Sequence, residues 1–530
     1  MNLYLYDTTL RDGNQDRNVN FSLADKLQLT WLFDSFGFDY VEGGWPNPSN
    51  PLDEEYFKRV KSLKLQHSKV AAFCSTKRPG LLPENDQLLQ ALVKSEAEVK
   101  TIFGKSWDLQ VTDVIHTSLE ENLDMIGSTV SYLKKYSSEV VYDAEHFFDG
   151  YKANPEYALK TLETAVSAGA DFLVLCDTNG GTLPWDLRSI VDIVRGEFPT
   201  RLGIHAHNDM GTAVANSMYA ARTGCCMIQG VVNGFGERCG NADLVTLMAN
   251  FGLKTDNFTF EAKKNLKDLK KFSDNVNEIA NVQSNVHAPY VGNAAFAHKG
   301  GAHIDGVLKN TQSFEHTDPA NVGNRRVFVT SDQAGSSLLV EKLQEMNLYY
   351  DKKDPKVKEL LVKLKECENN GWHFDTADAS FKLFVYRNLV EHFKEPFKVI
   401  NYKVLDQLNP EGVGVSVATV KLKVNNEETL VACEGDGPVN ALDNALRRAL
   451  EPYFPEIKNV KLDDFKVQVL GTNVSSNASV RVWATFGNKD EQWHTVGVSQ
   501  NIIEAAWIAF RDGLTYKIVS EYYKKFEKLI

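Results

Sequence analysis

Two stretches of the first half of the chain carry side chains that could bind and use a metal ion. His205 and His207 are separated by one residue, so on a β-strand both imidazoles project from the same face and can hold one cation. Arg11 and Asp12 lie in an Arg-Asp-Gly turn after a short apolar run. If the fold brings Asp12 beside the two histidines, the three side chains form a divalent-metal site with open coordination positions.

Each stretch also has an ordinary structural interpretation. An Arg-Asp-Gly sequence is commonly a surface turn with an ion pair. A single His-x-His pair, taken alone, is more often structural than metal-binding. The functional interpretation therefore requires elements that bring residues 12, 205 and 207 together.

Repeated strand–helix units could meet this requirement. Eight short β-branched or aromatic runs alternate with longer amphipathic stretches. The runs cover residues 3–5, 40–42, 70–73, 99–103, 140–144, 172–175, 202–206 and 227–231. Eight units in about 250 residues predict a TIM (β/α)8 barrel, in which the carboxyl ends of all strands meet at one mouth. A doubly wound open sheet is the alternative.

The predicted crossover helices carry recognisable start signals. Helices are expected at residues 22–36, 119–136, 155–168 and 184–198 among others. Ser22 is suited to an N-cap, and Pro155 and Pro184 to a first helical turn.

Ionisable or amide side chains follow six of the eight predicted strands. Turn chemistry explains Gly, Asn and Asp at such positions, but not two histidines with repeated Glu and Arg. Asn241 follows a glycine-rich loop and could offer its amide oxygen to a metal directly or through water. The strand ends therefore indicate an active site at the mouth of the barrel.

The composition excludes several classes of protein. The 530 residues include 58 Lys plus Arg and 70 Asp plus Glu without a dense basic block, so nucleic acid is not an expected partner. The seven cysteines are scattered without a Cys-x-x-Cys pair, which argues against disulfides or a cysteine zinc site. No uncharged apolar stretch approaches the ~20 residues that span a membrane. We therefore expect a soluble protein of the cytoplasm.

Three separated motifs together resemble those of the DRE-TIM metallolyases. They are Asp7-Thr8-Thr9-Leu10-Arg11-Asp12-Gly13, His205-x-His207-Asn208-Asp209 and Gly234-x-Gly236-Glu237-Arg238-x-Gly240-Asn241. Within that superfamily the chain is similar to the Claisen-condensing acyltransferases, which include the 2-isopropylmalate, homocitrate and citramalate synthases. Residues 42–46, 103–107, 144–151 and 176–181 look most like the citramalate-forming branch.

The resemblance implies a metal-dependent condensation. It assigns Asp12, His205, His207 and Asn241 to a divalent cation (Mg, Mn, Zn or Co) that would chelate a 2-oxo acid and make its carbonyl carbon electrophilic. Arg11 would stabilise the oxyanion that develops on that carbonyl. The second substrate would be acetyl-CoA.

The resemblance also implies a catalytic base and substrate contacts. Glu145 and His303 would together take the proton from the methyl group of acetyl-CoA, with His298 as a competitor for His303. In the family this histidine reaches the barrel of the partner chain, so a homodimer is expected. The expected substrate contacts are Gln15, Glu42 and Thr178.

The chain is predicted to hold three domains: a barrel at residues 1–260, a helical linker with subdomains at 261–396, and an α+β regulatory domain at 397–530. The prediction of the third domain rests on two strand–strand–helix repeats. The first repeat covers residues 418–422, 430–433 and 438–450, and the second covers residues 478–482, 495–498 and 502–514. This region lacks an acid–base or metal cluster in sequence, so an effector role is more natural than a catalytic one.

By resemblance, the regulatory domain would bind a branched-chain amino acid. Isoleucine is expected if the product is citramalate, and leucine if it is isopropylmalate. A dimerisation module without a ligand is the alternative. The candidate effector loops are Gly435-Asp436-Gly437-Pro438 and residues 497–501.

The resemblance makes condensation of acetyl-CoA with pyruvate the leading hypothesis. A 2-isopropylmalate or homocitrate synthase is the nearest alternative, because a pocket discriminates by only ~1–3 kcal/mol per methylene. A non-haem iron oxygenase uses the same ligand types, and a metabolite sensor could keep the barrel without catalysis. The strand–helix alternation disfavours the oxygenase.

Overall fold

The structure, a computed structural model, describes residues 1–328, 336–374, 376–408, 414–470, 479–489 and 491–527. The chain divides into two compact units. One unit comprises residues 1–296 and 315–326, and the other comprises residues 297–314 and 327–530. All eight predicted strand–helix repeats lie in the first unit.

Eight parallel strands of the first unit form a closed barrel. They are β1 (Tyr4–Asp7), β2 (Tyr40–Gly44), β3 (Lys69–Ser75), β4 (Val99–Lys105), β5 (Glu139–Glu145), β6 (Phe172–Asp177), β7 (Arg201–Ala206) and β8 (Met227–Gly230). Strand β1 pairs with β2 on one side and with β8 on the other, which closes the ring. The predicted TIM barrel is confirmed, and the open sheet was the wrong alternative.

Helices follow the strands in the order that the sequence predicts. They are α1 (Leu23–Phe36), α2 (Pro51–Arg59), α3 (Gln87–Lys94), α4 (Leu119–Leu133), α5 (Phe147–Ala153), α6 (Pro155–Ser167), α7 (Pro184–Glu197), α8 (Ala213–Thr223), α9 (Leu244–Leu253) and α10 (Leu269–Ile279). The Ser22 side chain accepts the backbone N–H of Asp25, and the Asp25 side chain accepts that of Ser22, which forms a capping box. Pro155 and Pro184 lie in first turns, as predicted.

The barrel interior is aromatic toward the amino ends of the strands and ionisable toward the carboxyl ends. Tyr6 stacks on Tyr40 with ring centroids 5.5 Å apart, and Phe172 meets Tyr40 edge-on at 6.4 Å. All three rings are buried. Above them, the Tyr6 hydroxyl donates to a carboxylate oxygen of Glu42 at 2.7 Å. A layer of buried aromatic rings therefore lies beneath the polar groups at the mouth of the barrel.

Residues beyond the last barrel helix still pack with the barrel. After the 3₁₀ helix at Glu261–Asp268, Phe272 of α10 stacks on Phe36 and Phe38 with centroid distances of 4.1 and 5.8 Å. The compact unit consequently includes residues up to 296. The domain boundaries at residues 260 and 396 remain predictions from the sequence.

The second unit begins with a parallel strand pair and four helices. These elements are β9 (Ala297–His298), α11 (Gly301–Lys309), β10 (Val327–Phe328), α12 (Ser336–Glu345), α13 (Pro355–Asn369) and α14 (Asp378–Leu389). Leu343, Leu360 and Phe381, from the last three helices, share one buried cluster. The sequence pattern predicts helices at residues 333–346, 355–369 and 376–393, and α12, α13 and α14 lie there. Residues 333–335 are outside the described residues.

Two repeats form the carboxyl-terminal part of the chain. The first contains β11 (Lys398–Leu408), β12 (Gly414–Val424), β13 (Glu427–Gly435) and α15 (Pro438–Leu450), and the second contains β14 (Lys461–Leu470), β15 (Ser479–Gly487), β16 (Gln492–Ser499) and α16 (Ile502–Glu527). Each sheet is antiparallel in chain order. The repeat is thus strand–strand–strand–helix, and the predicted strand–strand–helix unit was wrong by one strand. Residue 478 of a predicted strand lies outside the described residues.

In the missed strands β11 and β14, apolar and polar residues alternate over only part of the strand, as at Phe465–Val469 of β14. Most of their side chains are exposed, and each strand lies at one edge of its sheet. Adjacent polar residues such as Asp463 and Asp464 break the inside–outside pattern. The second helix, α16, also runs 13 residues past its predicted end at 514. In the described ranges, no helix has both the length and the apolar character needed to cross a membrane.

A buried ion pair fixes the loop after β2. Lys26 of α1 contacts Asp53 of α2, and both side chains are almost fully buried. Lys26 Nζ also donates to the Gly43 carbonyl at 3.1 Å, and Asp53 Oδ2 accepts the backbone N–H of Trp45 at 2.8 Å. The pair therefore joins two helices to the turn that carries Trp45.

The variant Lys26→Met is expected to destabilise the protein by about 3–5 kcal/mol, because Asp53 would stay buried without its cation. The matched control is Lys61→Met, whose partner Glu96 is exposed and whose loss should change stability little. Guanidinium unfolding followed by circular dichroism measures both. Equal unfolding midpoints for the two variants would contradict this role of Lys26.

Candidate metal centre and active site

Asp12, His205 and His207 converge at the mouth of the barrel. Each offers a ligand atom that lies within 4.8 Å of the others, and all three residues are buried. Asp12 Oδ2 is 3.1 Å from His205 Nε2 and 3.8 Å from His207 Nε2. Their chemistry suits a divalent cation, because neutral imidazoles and a carboxylate are its common ligands. The predicted convergence is confirmed, and their role as metal ligands stays a prediction.

Asn241 completes this cluster. Its Nδ2 donates to Asp12 Oδ2 at 2.7 Å and lies 3.1 Å from His205 Nε2. Its Oδ1 is buried without a hydrogen-bond partner among the described residues. Rotation of the Asn241 amide by 180° places its oxygen toward the cluster. The donor set and the unpaired oxygen therefore fit a cation held by four residues.

The glycine-rich loop allows Asn241 to approach. Gly236 has φ +138°, and a Cβ on it would lie 2.1 Å from Asn241 Oδ1. A larger residue at this position would displace the amide. A backbone β-bridge between Asn241 and His207 also holds Asn241 in place.

The charges at the cluster are strongly coupled. Burial disfavours the Asp12 carboxylate, but Arg11 and the hydrogen bond to His205 outweigh burial and hold the pKa of Asp12 well below its usual range. Burial likewise opposes protonation of His205, yet Asp12 raises the pKa of His205 above its ordinary value. Burial and the neighbouring His205 lower the pKa of His207 to about 4. The site thus holds an ionised carboxylate that favours a positive charge beside it.

A buried amide orients His205. Gln229 Oε1 lies 2.8 Å from His205 Nδ1, and Gln229 Nε2 donates to Asp143 Oδ1 at 3.0 Å. Since Oε1 carries no proton, Nδ1 is the donor, and Nε2 is the ring atom that faces Asp12. Burial raises the pKa of Asp143 to about 7. Sequence analysis missed Gln229, although it is the one polar residue of the run 227–231.

Arg11 is held above an aromatic ring. Its Nε donates to Glu42 Oε1 at 2.6 Å, and its guanidinium carbon lies 3.7 Å from the centre of the Phe73 ring. Nη1 is 3.2 Å from Asp12 Oδ1. Glu42 is fully buried and also accepts the Tyr6 hydroxyl. The geometry places Glu42 beneath Arg11, where it orients the guanidinium.

A cavity of about 210 Å³ opens above the cluster. Among the predicted site residues, Arg11, Asp12, Gln15, Glu145, Thr178, His205 and His207 line it. Glu42 and Asn241 contribute from behind these side chains. Trp45, Phe73 and Phe103 form an aromatic wall, with Phe73 stacked on Phe103 at 5.3 Å and Trp45 edge-on to Phe103 at 5.7 Å. This wall could not be predicted from sequence spacing, because Phe73 and Phe103 come from two strands and Trp45 from the turn after a third.

Thr178 and Glu145 sit side by side at the rim. Thr178 Oγ1 accepts the backbone N–H of His146 at 2.9 Å, and its carbonyl accepts Arg238 at 2.7 Å. Arg238 itself binds Asp209 through two nitrogens, at 2.8 and 3.0 Å. Thr178 is therefore fixed in place at the cavity surface.

His303 lies in the second compact unit. It is exposed on α11, and its ring stacks on Phe314 with centroids 4.3 Å apart. Its pairing with Glu145 remains a prediction.

Three families match consecutive parts of the chain. The HMGL-like family matches residues 2–276, the homocitrate synthase post-HMGL domain-like family residues 290–371, and the LeuA allosteric (dimerisation) domain residues 375–518. Together with the closed barrel and its cluster of Asp12, His205 and His207, these matches define the class of protein. It is an HMGL-like barrel protein with a LeuA-type carboxyl-terminal domain.

Curated relatives match nearly the whole chain. The (R)-citramalate synthase of Aquifex aeolicus is 47% identical over 98% of both chains, and that of Geobacter sulfurreducens is 47% identical over 97% of both. The 2-isopropylmalate synthase of Clostridium kluyveri is 28% identical over 99% of both. The chain belongs to the HMGL-like family and, within it, to the (R)-citramalate synthase family.

The variant Gln229→Met is expected to weaken divalent-cation binding by about 10–100-fold, because the His205 ring loses the acceptor that fixes its tautomer. Isothermal titration with Mn²⁺ measures the affinity. Gln90→Met, on the exposed surface of α3, is the control and should bind like the unmodified protein. Unchanged affinity in Gln229→Met would refute this positioning role.

Proposed function

We propose that this protein condenses acetyl-CoA with pyruvate and water to form (R)-citramalate and free CoA. The observation that carries the proposal is the cluster of Asp12, His205 and His207 beside Arg11 in one cavity. The relatives at 47% identity, named (R)-citramalate synthase, support the choice of reaction. An acyltransferase of this kind would supply isoleucine biosynthesis. The expected cytoplasmic location stays a prediction.

Asp12, His205, His207 and Asn241 would hold a divalent cation (Mg, Mn, Zn or Co). When bound, the cation supplies Lewis acidity to the carbonyl of the 2-oxo acid. Arg11 lies on the cavity surface next to Asp12, so its guanidinium can stabilise the oxyanion that forms as the carbonyl is attacked. Glu42 keeps that guanidinium oriented. Gln15 and Thr178 line the same cavity and are the proposed contacts for the acid and the acetyl group.

The carbanion would be made by a carboxylate–imidazole pair. Glu145 lines the cavity, and in the proposed pair its carboxylate would orient the ring of His303. That ring would remove a proton from the methyl group of acetyl-CoA. The new carbon–carbon bond forms at the carbonyl carbon of pyruvate. Water then cleaves the thioester and releases CoA. Replacing either Glu145 or His303 should therefore abolish turnover while leaving cation binding intact.

The aromatic wall favours a small 2-oxo acid. Trp45, Phe73 and Phe103 line one side of the cavity, with the Phe73 ring against the Arg11 guanidinium. Pyruvate carries only a methyl group beyond its carbonyl, whereas 2-oxoisovalerate carries an isopropyl group. The 2-isopropylmalate synthases remain the second candidate, supported by the 28% identical relative.

The carboxyl-terminal repeats are proposed to form a dimer and to bind isoleucine. The matched family is described as an allosteric dimerisation domain. Gly435 ends β13, and Pro438 begins α15, so the loop Gly435-Asp436-Gly437-Pro438 lies at the start of a helix. Helix starts can receive the carboxylate of an amino acid. Inhibition of CoA release by isoleucine but not by leucine would support the pyruvate reaction.

Free CoA should appear when the protein is mixed with acetyl-CoA, pyruvate and Mn²⁺, and a chelator should abolish its release. Detection of the CoA thiol measures turnover. Pyruvate is expected to exceed 2-oxoisovalerate by at least 10-fold in kcat/KM. A preference for 2-oxoisovalerate would instead identify a 2-isopropylmalate synthase.

The variant Phe103→Ala should raise kcat/KM for 2-oxobutyrate relative to pyruvate by about 10-fold, because it vacates space beside the substrate methyl group. Tyr136→Ala removes an exposed aromatic ring after α4 and should leave the ratio unchanged. The same thiol assay gives both ratios. If Phe103→Ala lowers both rates equally, the ring does not set the size limit.

A further inference from the structure

We propose that Lys105 is a positioning residue for catalysis, which holds the Glu145 carboxylate in place at the rim of the cavity. Lys105 ends β4 and Glu145 ends β5, and the two residues are direct partners in the strand register. The Lys105 ammonium forms an ion pair with Glu145 Oε2. This inference rests on the proposed role of Glu145 in orienting a base.

The pair is largely removed from water. The exposed fractions are 16% for the Lys105 side chain and 22% for that of Glu145. The Lys105 ammonium also lies 5.5 Å from the centre of the Phe103 ring, which belongs to the aromatic wall. A desolvated pair beside an aromatic face is stronger than an ordinary surface pair. The Lys105 ammonium therefore interacts directly with the Glu145 carboxylate at this side of the cavity.

The backbone on both sides of the pair is fixed. The Lys105 carbonyl accepts Asn122 Nδ2 at 2.8 Å, and the Glu145 carbonyl accepts the Ser106 N–H at 3.1 Å. Directly after Glu145, His146 adopts φ +56°, a costly conformation for a residue other than glycine. The chain thus turns sharply so that Glu145 stays at the rim.

The geometry divides the two oxygens of Glu145 between two tasks. Oε2 faces Lys105, which leaves Oε1 as the acceptor for an imidazole N–H. A carboxylate that is free to rotate would hold the imidazole poorly, and a small misplacement of a catalytic group costs a large factor in rate. Lys105 thereby pre-orients Glu145 before the acyl donor arrives.

A second Lys–Glu pair provides the comparison. Lys69 begins β3, and its ammonium lies 2.7 Å from a carboxylate oxygen of Glu139, which begins β5. This pair has the same chemistry at the opposite end of the barrel, away from the cavity. Lys69→Met is therefore the matched control for Lys105→Met.

The test measures CoA release, Mn²⁺ affinity and thermal stability in Lys105→Met, Lys105→Arg and Lys69→Met. Lys105→Met should lower kcat by about 100-fold, with the KM for pyruvate and the Mn²⁺ affinity within threefold of the unmodified protein. Lys105→Arg restores the cation and should recover kcat to within about 10-fold. Lys69→Met should keep full activity.

A crystal structure of Lys105→Met gives a readout that is independent of turnover. The Glu145 carboxylate should leave its position or adopt more than one. The inference is overturned if Glu145 stays where it is, if kcat of Lys105→Met is unchanged, or if Mn²⁺ affinity falls together with kcat. Failure of the proposed function is distinct, because the unmodified protein and Lys69→Met would then release no CoA with any 2-oxo acid.

Discussion

A buried carboxylate facing two imidazoles is the interaction on which the rest of this structure depends. Asp12 is almost fully buried, yet Arg11 and His205 keep it ionised. Burying an unpaired charge in such a place would cost several kcal/mol of folding free energy. The groups that pair with Asp12 must therefore be held in fixed positions. The barrel provides this rigidity, since only its closure between β1 and β8 brings residue 12 beside residues 205 and 207.

The supporting layers around the cluster each fix one group. Gln229 sets the tautomer of His205, Glu42 orients Arg11, and Gly236 leaves room for Asn241. Beneath them, stacked tyrosine rings exclude water from the barrel floor. The mouth therefore combines a positively charged guanidinium, an ionised carboxylate and neutral donor groups in one cavity. Such pre-organisation is what charge stabilisation during a condensation requires.

Much of the barrel could be predicted because strands buried on both faces appear as short apolar runs, and their polar ends mark the mouth. The motif residues Asp12, His205 and His207 were likewise visible, since strand periodicity puts the histidines on one face. Gln229, Lys105 and the aromatic wall were not predicted, because their meaning depends on which neighbour faces them across strands. Strands β11 and β14 were missed because adjacent polar residues such as Asp463 and Asp464 interrupt their alternation of apolar and polar residues.

The most direct measurement is the anomalous scattering of crystals grown with Mn²⁺. The account predicts one strong peak at the barrel mouth, within about 2.5 Å of an Asp12 carboxylate oxygen and of Nε2 of both His205 and His207. A peak held by other residues, or full cation affinity in a variant that lacks both histidines, would contradict it.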